Sequence, residues 1–277
     1  MIINAPADIA FSLFSIPIYW YGITMACAIF VSMITGNFLY NKINPNLQKD
    51  IIIDYAPLII LLGILGARLY FCILQHDYYF DNPLEILDIR QGGLSIHGAL
   101  IGGIIGIIIA SKKTKVPILN ILDALSCTTI LGQAIGRWGN YFNSEAYGLP
   151  VKSQNWGLFI PETKRFSQFA NYSLFHPTFL YESLLDFIAF LVLTFILIKS
   201  GKKYRGITFF AYLAIYSVIR FFIEKIRIDS ALNIGSVPFA EIISVVLFLI
   251  GISGILFVII NSAPSFLSLC CHAKRKK

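Results

Sequence analysis

Charge is what this 277-residue sequence has least of. Only 13% of its residues are Asp, Glu, Lys or Arg, against about a quarter in an ordinary soluble domain. With 57% hydrophobic residues beside that, a soluble globular fold is excluded, and so is a disordered chain. Cysteine is scarce as well. Cys27, Cys72 and Cys127 lie in apolar runs, where the thiol behaves as a small hydrophobe. Cys270 and Cys271 adjoin a basic tail, a setting that suits acylation, although an unmodified tail is the simpler reading. No spacing resembles a zinc site, so neither a metal nor another cofactor is expected. Basic residues are missing from the first 41 positions, and with no basic n-region a cleavable signal peptide is not expected. Low-complexity sequence is missing too. The net charge of +7 is of the kind that collects in cytoplasmic loops, so it does not argue for nucleic acid.

What is present is a series of apolar runs. A bilayer takes about 20 apolar residues per helix. Seven runs qualify, at 16–40, 51–74, 96–110, 117–137, 177–198, 206–224 and 238–261. The third is short unless counted from Gly92, and its Gly98, Gly102 and Gly106 recur every four residues, a face on which a neighbouring helix packs closely. An odd number of spans puts the termini on opposite sides. With the N-terminus outside, 13 basic residues fall in cytoplasmic segments and six in the outer loops, so N-out and C-in is expected. The outer loops are the long ones. Residues 75–91, with His76, Tyr78, Tyr79, Phe80 and Pro83, read as a segment lying at the interface, where Tyr is favoured. Residues 138–176 read as an extracytoplasmic head, with some strand in 156–160. The fold class is therefore an all-α integral membrane protein. It has seven transmembrane helices in a single domain, 1–277, with a small extracytoplasmic cap inserted at 138–176.

The polar residues inside the spans are unevenly placed. Arg68, Arg137 and Arg220 each lie late in an even-numbered span, which puts all three guanidinium groups in the outer half of the membrane. Tyr21, His97, His176, Tyr181 and Glu182 open the odd spans at the same depth. The inner half has little beyond Asp54 and Asp123, and Asp123 is read as a helix-packing residue. Around Arg137 the stretch 132–148, GQAIGRWGNYFNSEAYG, adds Asn140, Asn143, Glu145 and Gly148. A guanidinium beside Gly-rich backbone is equipment for gripping a phosphate. In the sixth span Tyr216, Arg220 and Glu224 are four apart and share one helix face. The plainer alternative there is a local Arg220–Glu224 pair that only neutralises charge. For Arg68 the alternative is snorkelling to the interface. His97, flanked by Gly92, Gly93 and Gly98, is a candidate proton acceptor.

Arginines at this depth suit an anionic phospholipid headgroup, whose phosphate they would hold while its leaving charge develops. A thiol nucleophile with pKa about 8.5 matches a histidine base. The residues thus point to a transferase or hydrolase working on a phospholipid from the outer side. Two rivals are weighed against it. A lipid transporter or scramblase would carry polar residues at both depths, against the outward bias. Another membrane enzyme acting on a lipid phosphate would bring an acidic metal-binding cluster or a second catalytic histidine.

Six motifs carry a resemblance: WYG at 20–22, GARLYF at 66–71, GGLSIHGAL at 92–100, GRWGNYFNSEAYG at 136–148, HPTFLYE at 176–182 and YSVIRFFIEKIR at 216–227. In this order they resemble the prolipoprotein diacylglyceryl transferase family of bacterial inner-membrane enzymes. The resemblance implies seven spans, N-out, with a periplasmic head, in the bacterial inner membrane. It implies transfer of a diacylglyceryl group from phosphatidylglycerol to the lipobox cysteine thiol of a preprolipoprotein signal peptide. A thioether forms and glycerol phosphate leaves. By motif, Arg137 and Arg220 match the family's essential arginines and His97 its candidate base. Asn140, Glu145, Gly148, Tyr21, Tyr216 and Glu224 match its other important positions, while Asn143 and Arg68 are added as substrate-binding candidates from their placement. The chain departs from the family pattern at Ala99, where Gly is usual after His-Gly, at Ser217 for Gly, and at Glu241 for Gln.

Overall fold

The structure is a computed structural model, and it describes residues 1–88, 92–153, 155–229, 233–234 and 237–262. In chain order the elements are β1 (Ile2–Asn4), β2 (Ile9–Leu13), β3 (Ile16–Tyr19), α1 (Trp20–Ile43), α2 (Ile51–Leu74) and α3 (His76–Asp81). There follow α4 (Ile96–Thr114), α5 (Ile118–Asn143), β4 (Gly157–Phe159), β5 (Leu174–Phe175), α6 (Thr178–Ser200), α7 (Ile207–Glu224), β6 (Asn233–Ile234), β7 (Val237–Pro238) and α8 (Phe239–Ser262). Among the described residues seven helices, α1, α2 and α4 to α8, are long and apolar enough to cross a bilayer. All seven fall on the apolar runs, and β4 falls within the stretch expected to hold strand.

Two boundaries differ from expectation. The first apolar run begins at residue 16, but residues 16–19 form β3, paired antiparallel with β2 across a turn that holds Phe14 and Ser15 at positive φ. Pro17 has no N–H and suits a strand edge better than a helix interior, so α1 starts only at Trp20, whose N–H donates to the Asp8 carbonyl at 3.0 Å. The fourth run continues as helix past Arg137 to Asn143. Gly136 and Gly139 there are helical and face α1. A Cβ at Gly139 would lie 2.8 Å from the Tyr21 ring, and one at Gly136 would touch Met25.

The chain forms two compact units, one of Met1–Thr35 with Asp123–Lys277 and one of Gly36–Leu122. In the second unit α4 packs on α2 through the glycine face seen in the sequence. A Cβ at Gly98 or Gly102 would collide with α2 at Gly66 or Leu62, and one at Gly106 would press on Ile59 at 3.0 Å. The two backbones therefore approach closely, as small residues permit in lipid. Between these helices come α3 and a single 3-10 turn, Pro83–Leu87, which expose Tyr78, Phe80, Leu84 and Leu87. That composition agrees with a segment lying at the interface.

In the first unit the cap is a three-stranded sheet in the order β1-β4-β5. Its core is Tyr147, Leu158, Ile160, Phe175 and Phe179, with Tyr141 of α5 packed against it. Because Phe179 lies in the first turn of α6, this core fixes where that helix begins. At the opposite end of the unit, the fully buried Asp123 of α5 accepts the N–H of Gly206 at 2.6 Å and of Phe209 at 2.9 Å. Those donors have no partner within α7, so Asp123 caps it. This is the helix-packing role expected of it.

Candidate active site

The last turns of α5 meet the first turns of α6. Arg137 forms an ion pair through Nε with Glu182 Oε2, and the next residues on both helices are joined by Trp138 Nε1 donating to Ser183 Oγ at 3.1 Å. Glu182 is the centre of the arrangement. Its other oxygen faces Arg227 Nη1 at 3.5 Å and Arg220 Nη1 at 3.9 Å. Arg220 also reaches Glu224, one turn further along α7, at 2.6 Å. One carboxylate with 4% of its side chain exposed is thus ringed by three guanidinium groups. Charges this buried are kept only by partners, since removing one partner of such a pair costs about 3–5 kcal/mol. Arg137 and Arg220 each keep a fifth of their side chain exposed. A guanidinium has five N–H donors in a planar fork, which leaves capacity for a second anion.

Arg227 stands beyond the end of α7 and is bound bidentately by Asp229, at 2.8 and 2.7 Å. Burial disfavours its charge, but the bonds to Asp229 and the fields of Glu182 and Glu224 outweigh that and raise its pKa above the usual arginine value. Gly148 explains its placement. The backbone at 148 bridges to Arg227, Gly148 N–H donates to the His176 carbonyl at 3.0 Å, and Leu149 N–H donates to Ile226 at 2.8 Å. A Cβ at Gly148 would press on His176, Ile226 and Thr178 at 2.9–3.0 Å. The glycine is needed for close approach of backbone, beside Arg227.

The other candidates fall into place around this cluster. Asn140 Nδ2 donates to Glu145 Oε1 at 2.9 Å, closing the turn after α5. Tyr21 lies over Gly139, within the fields of Glu145 and Arg137. Tyr216 stacks on Tyr212 at 5.8 Å, one turn before Arg220. Asn143 contributes its backbone carbonyl, which accepts Lys164 Nζ at 3.0 Å. The structure therefore brings together Arg137, Arg220 and Glu224, with Tyr21, Asn140, Glu145 and Gly148 about them. His97 and Arg68 belong to the other unit, on α4 and α2. His97 is exposed at the second position of α4, with its ring 6.0 Å from that of Tyr70. The Arg68 guanidinium donates to backbone carbonyls of residues 85–93.

Two members of the cluster are not among the candidate site residues read from the sequence. Glu182 is read there only as a polar residue that opens the fifth span at the outer depth, and Arg227 only as an outer-loop charge three residues beyond Glu224. A signal existed, since Arg227 is seven residues after Arg220 and continues its helix face. The departures at Ser217 and Glu241 are accommodated. The Ser217 hydroxyl donates to the Leu213 carbonyl within α7, and Glu241 pairs with Lys225 at 2.6 Å.

Fold and site together define a multi-pass membrane protein with a cluster of arginines built around a buried carboxylate. The sequence model of the prolipoprotein diacylglyceryl transferase family matches residues 8–257. Among similar proteins are phosphatidylglycerol–prolipoprotein diacylglyceryl transferases of Staphylococcus aureus, Trichormus variabilis and Clostridium botulinum. The first is 38% identical over 97% of this chain and 95% of its own. The second is 36% identical over 94% and 93%, and the third 41% over 86% and 91%. The chain belongs to the prolipoprotein diacylglyceryl transferase family.

Proposed function

We infer that this chain is an enzyme that transfers the diacylglyceryl group of phosphatidylglycerol to a preprolipoprotein. The acceptor is the thiol of the lipobox cysteine. Its sulfur attacks the diacylglyceryl carbon that bears the phosphate, a C–S bond forms, and the C–O bond breaks. Glycerol phosphate leaves with the electron pair, and the thiol proton passes to His97. Arg137 and Arg220 hold the phosphate and stabilise the charge that grows on it. Glu182, itself paired with Arg227, holds those two arginines in place, Tyr216 and Glu224 flank Arg220, and Tyr21, Asn140, Asn143 and Glu145 surround the headgroup.

The observation that supports this best is the carboxylate of Glu182 among three guanidinium groups. An arrangement that already coordinates one oxyanion from three sides suits a phosphodiester. The donor test supplies each phospholipid alone, in detergent, with purified protein and a lipobox peptide, and follows peptide mass and released glycerol phosphate together. Phosphatidylglycerol is expected to support transfer. Phosphatidylethanolamine, whose ammonium the arginines repel, is expected to support little or none. Equal transfer from both would refute the electrostatic account of donor choice, and no transfer from any phospholipid would refute the activity.

The site is placed on the outer side of the bacterial inner membrane, with the N-terminus outside. The basic residues carry this orientation, with 13 in the segments it makes cytoplasmic and six in the others. Ser153→Cys is expected to react with an impermeant thiol reagent in intact cells, and Lys113→Cys to react only after permeabilisation. The reverse pattern would invert the orientation.

A further inference from the structure

Arg68 was a candidate ligand for the lipid phosphate, but its donors are engaged elsewhere. The side chain is 6% exposed. Nε donates to the Ile86 carbonyl at 2.9 Å, Nη1 to those of Gly92 and Gly93 at 3.0 Å each, and Nη2 to those of Glu85 and Asp88 at 2.5 and 2.8 Å. A guanidinium has five N–H groups, and all five are directed at carbonyl oxygens. The Tyr79 ring covers its face, 5.2 Å from Cζ. To take a phosphate, Arg68 would have to give up all five of these hydrogen bonds.

What those carbonyls belong to is informative. Gly92 and Gly93 have φ of +89° and +74°, backbone that only glycine adopts without strain, and they aim successive carbonyls at the same Nη1. A Cβ at Gly93 would lie 2.5 Å from Nη1 and 2.9 Å from the Phe71 ring. Two residues later Ser95 N–H donates to the Ala67 carbonyl at 3.0 Å, and Ala99 N–H returns to the Ser95 carbonyl at 3.1 Å, opening α4. Gly98 closes on Gly66, and His97 lies against Tyr70. The α2 residues Gly66, Ala67, Arg68 and Tyr70 thus each grip a point within five residues of His97. The motif GARLYF and the motif GGLSIHGAL are two halves of one object.

We propose that Arg68 is a positioning residue for His97: it holds the Gly92–Gly93 turn from which α4 presents the imidazole, and it does not bind the lipid phosphate. The proposal rests on His97 being the proton acceptor, and its test separates the two. The measurements are kcat and KM for phosphatidylglycerol in Arg68→Ala, Arg68→Lys, Gly93→Ala and His97→Gln, and in Arg68→Ala combined with each of the last two. Hydrogen exchange of residues 85–99 is followed in the same proteins. Arg68→Ala is expected to lower kcat by about a hundredfold, the effect of misplacing a reacting group by about 1 Å, with KM within twofold of wild type. Arg68→Lys should not restore kcat, because an ammonium cannot span five carbonyls. Gly93→Ala keeps the arginine but displaces it, and should reproduce the loss with accelerated exchange at 85–99. If Arg68→Ala proves too unstable to purify, this variant carries the test. Arg68→Ala should not add to the loss caused by either second substitution, since all three act through one group. A phosphate ligand gives a different result: Arg68→Ala would raise KM tenfold or more at unchanged kcat, and Gly93→Ala, which displaces the same guanidinium, would raise KM in the same way. Either of those findings overturns the proposal. So does a full further loss on adding Arg68→Ala to His97→Gln. By contrast, His97→Gln with wild-type turnover removes the base assignment itself, whatever the Arg68 variants do.

Discussion

Arg137→Ala protein that folds is expected to lose transferase turnover by about a hundred- to a thousandfold, the scale set by removing one donor to a developing oxyanion. The loss should fall on kcat more than on KM, because the phosphate gains charge as the C–O bond breaks. Arg137→Lys keeps the positive charge but replaces a planar fork with a point charge, so most of the loss should persist. The cluster also predicts a moderate effect on stability. Glu182 keeps Arg227 and Arg220 when Arg137 is gone, at 3.5 and 3.9 Å, so its charge is not left without a partner. Activity should therefore fall much further than the thermal midpoint. A folded Arg137→Ala enzyme with near wild-type turnover would end the phosphate-clamp reading.

His97→Gln carries the second large effect. A general base contributes about a hundred- to ten-thousandfold, and glutamine keeps hydrogen bonding without accepting a proton. Turnover at neutral pH should fall by that order. As pH rises toward the ordinary thiol pKa of about 8.5, more of the acceptor peptide is already thiolate and less depends on the base. The variant should then recover part of its rate, and its profile should climb with pH more steeply than that of wild type. A residue that only positioned the headgroup would instead raise KM for the lipid and leave the profile's shape unchanged. Identical profile shapes would remove the base assignment.

How far these sites were legible depends on the range of the interactions. Seven runs of about 20 apolar residues announce seven helices because lipid leaves the backbone no other partner. The Gly98, Gly102 and Gly106 face is likewise periodic, and α2 packs on it as the period requires. The Tyr216, Arg220 and Glu224 face is readable for the same reason. Other features rest on contacts between distant residues and leave no period. Nothing local marks Glu182 as the partner of Arg137, 45 residues earlier in the chain. Nothing local marks Arg68 as the partner of carbonyls 17 to 25 residues on. The β2–β3 hairpin was hidden because its apolar residues are continuous in composition with α1. The helical run to Asn143 was hidden because glycines that open a loop and glycines that admit a neighbouring helix look alike in sequence.

Asp123 sets a length as well as a cap. Arg137 lies fourteen positions after it along α5, and Arg220 lies fourteen positions after Gly206, the residue capping α7 whose N–H it accepts. At about 1.5 Å per residue both intervals measure roughly 21 Å. The two intervals are thus equal rods pinned at a common foot, and their guanidinium groups meet at one carboxylate, that of Glu182. Inserting or deleting one residue in either interval would shift one arginine by about 1.5 Å and turn it by about 100° relative to the other, while leaving the pin and both helices whole.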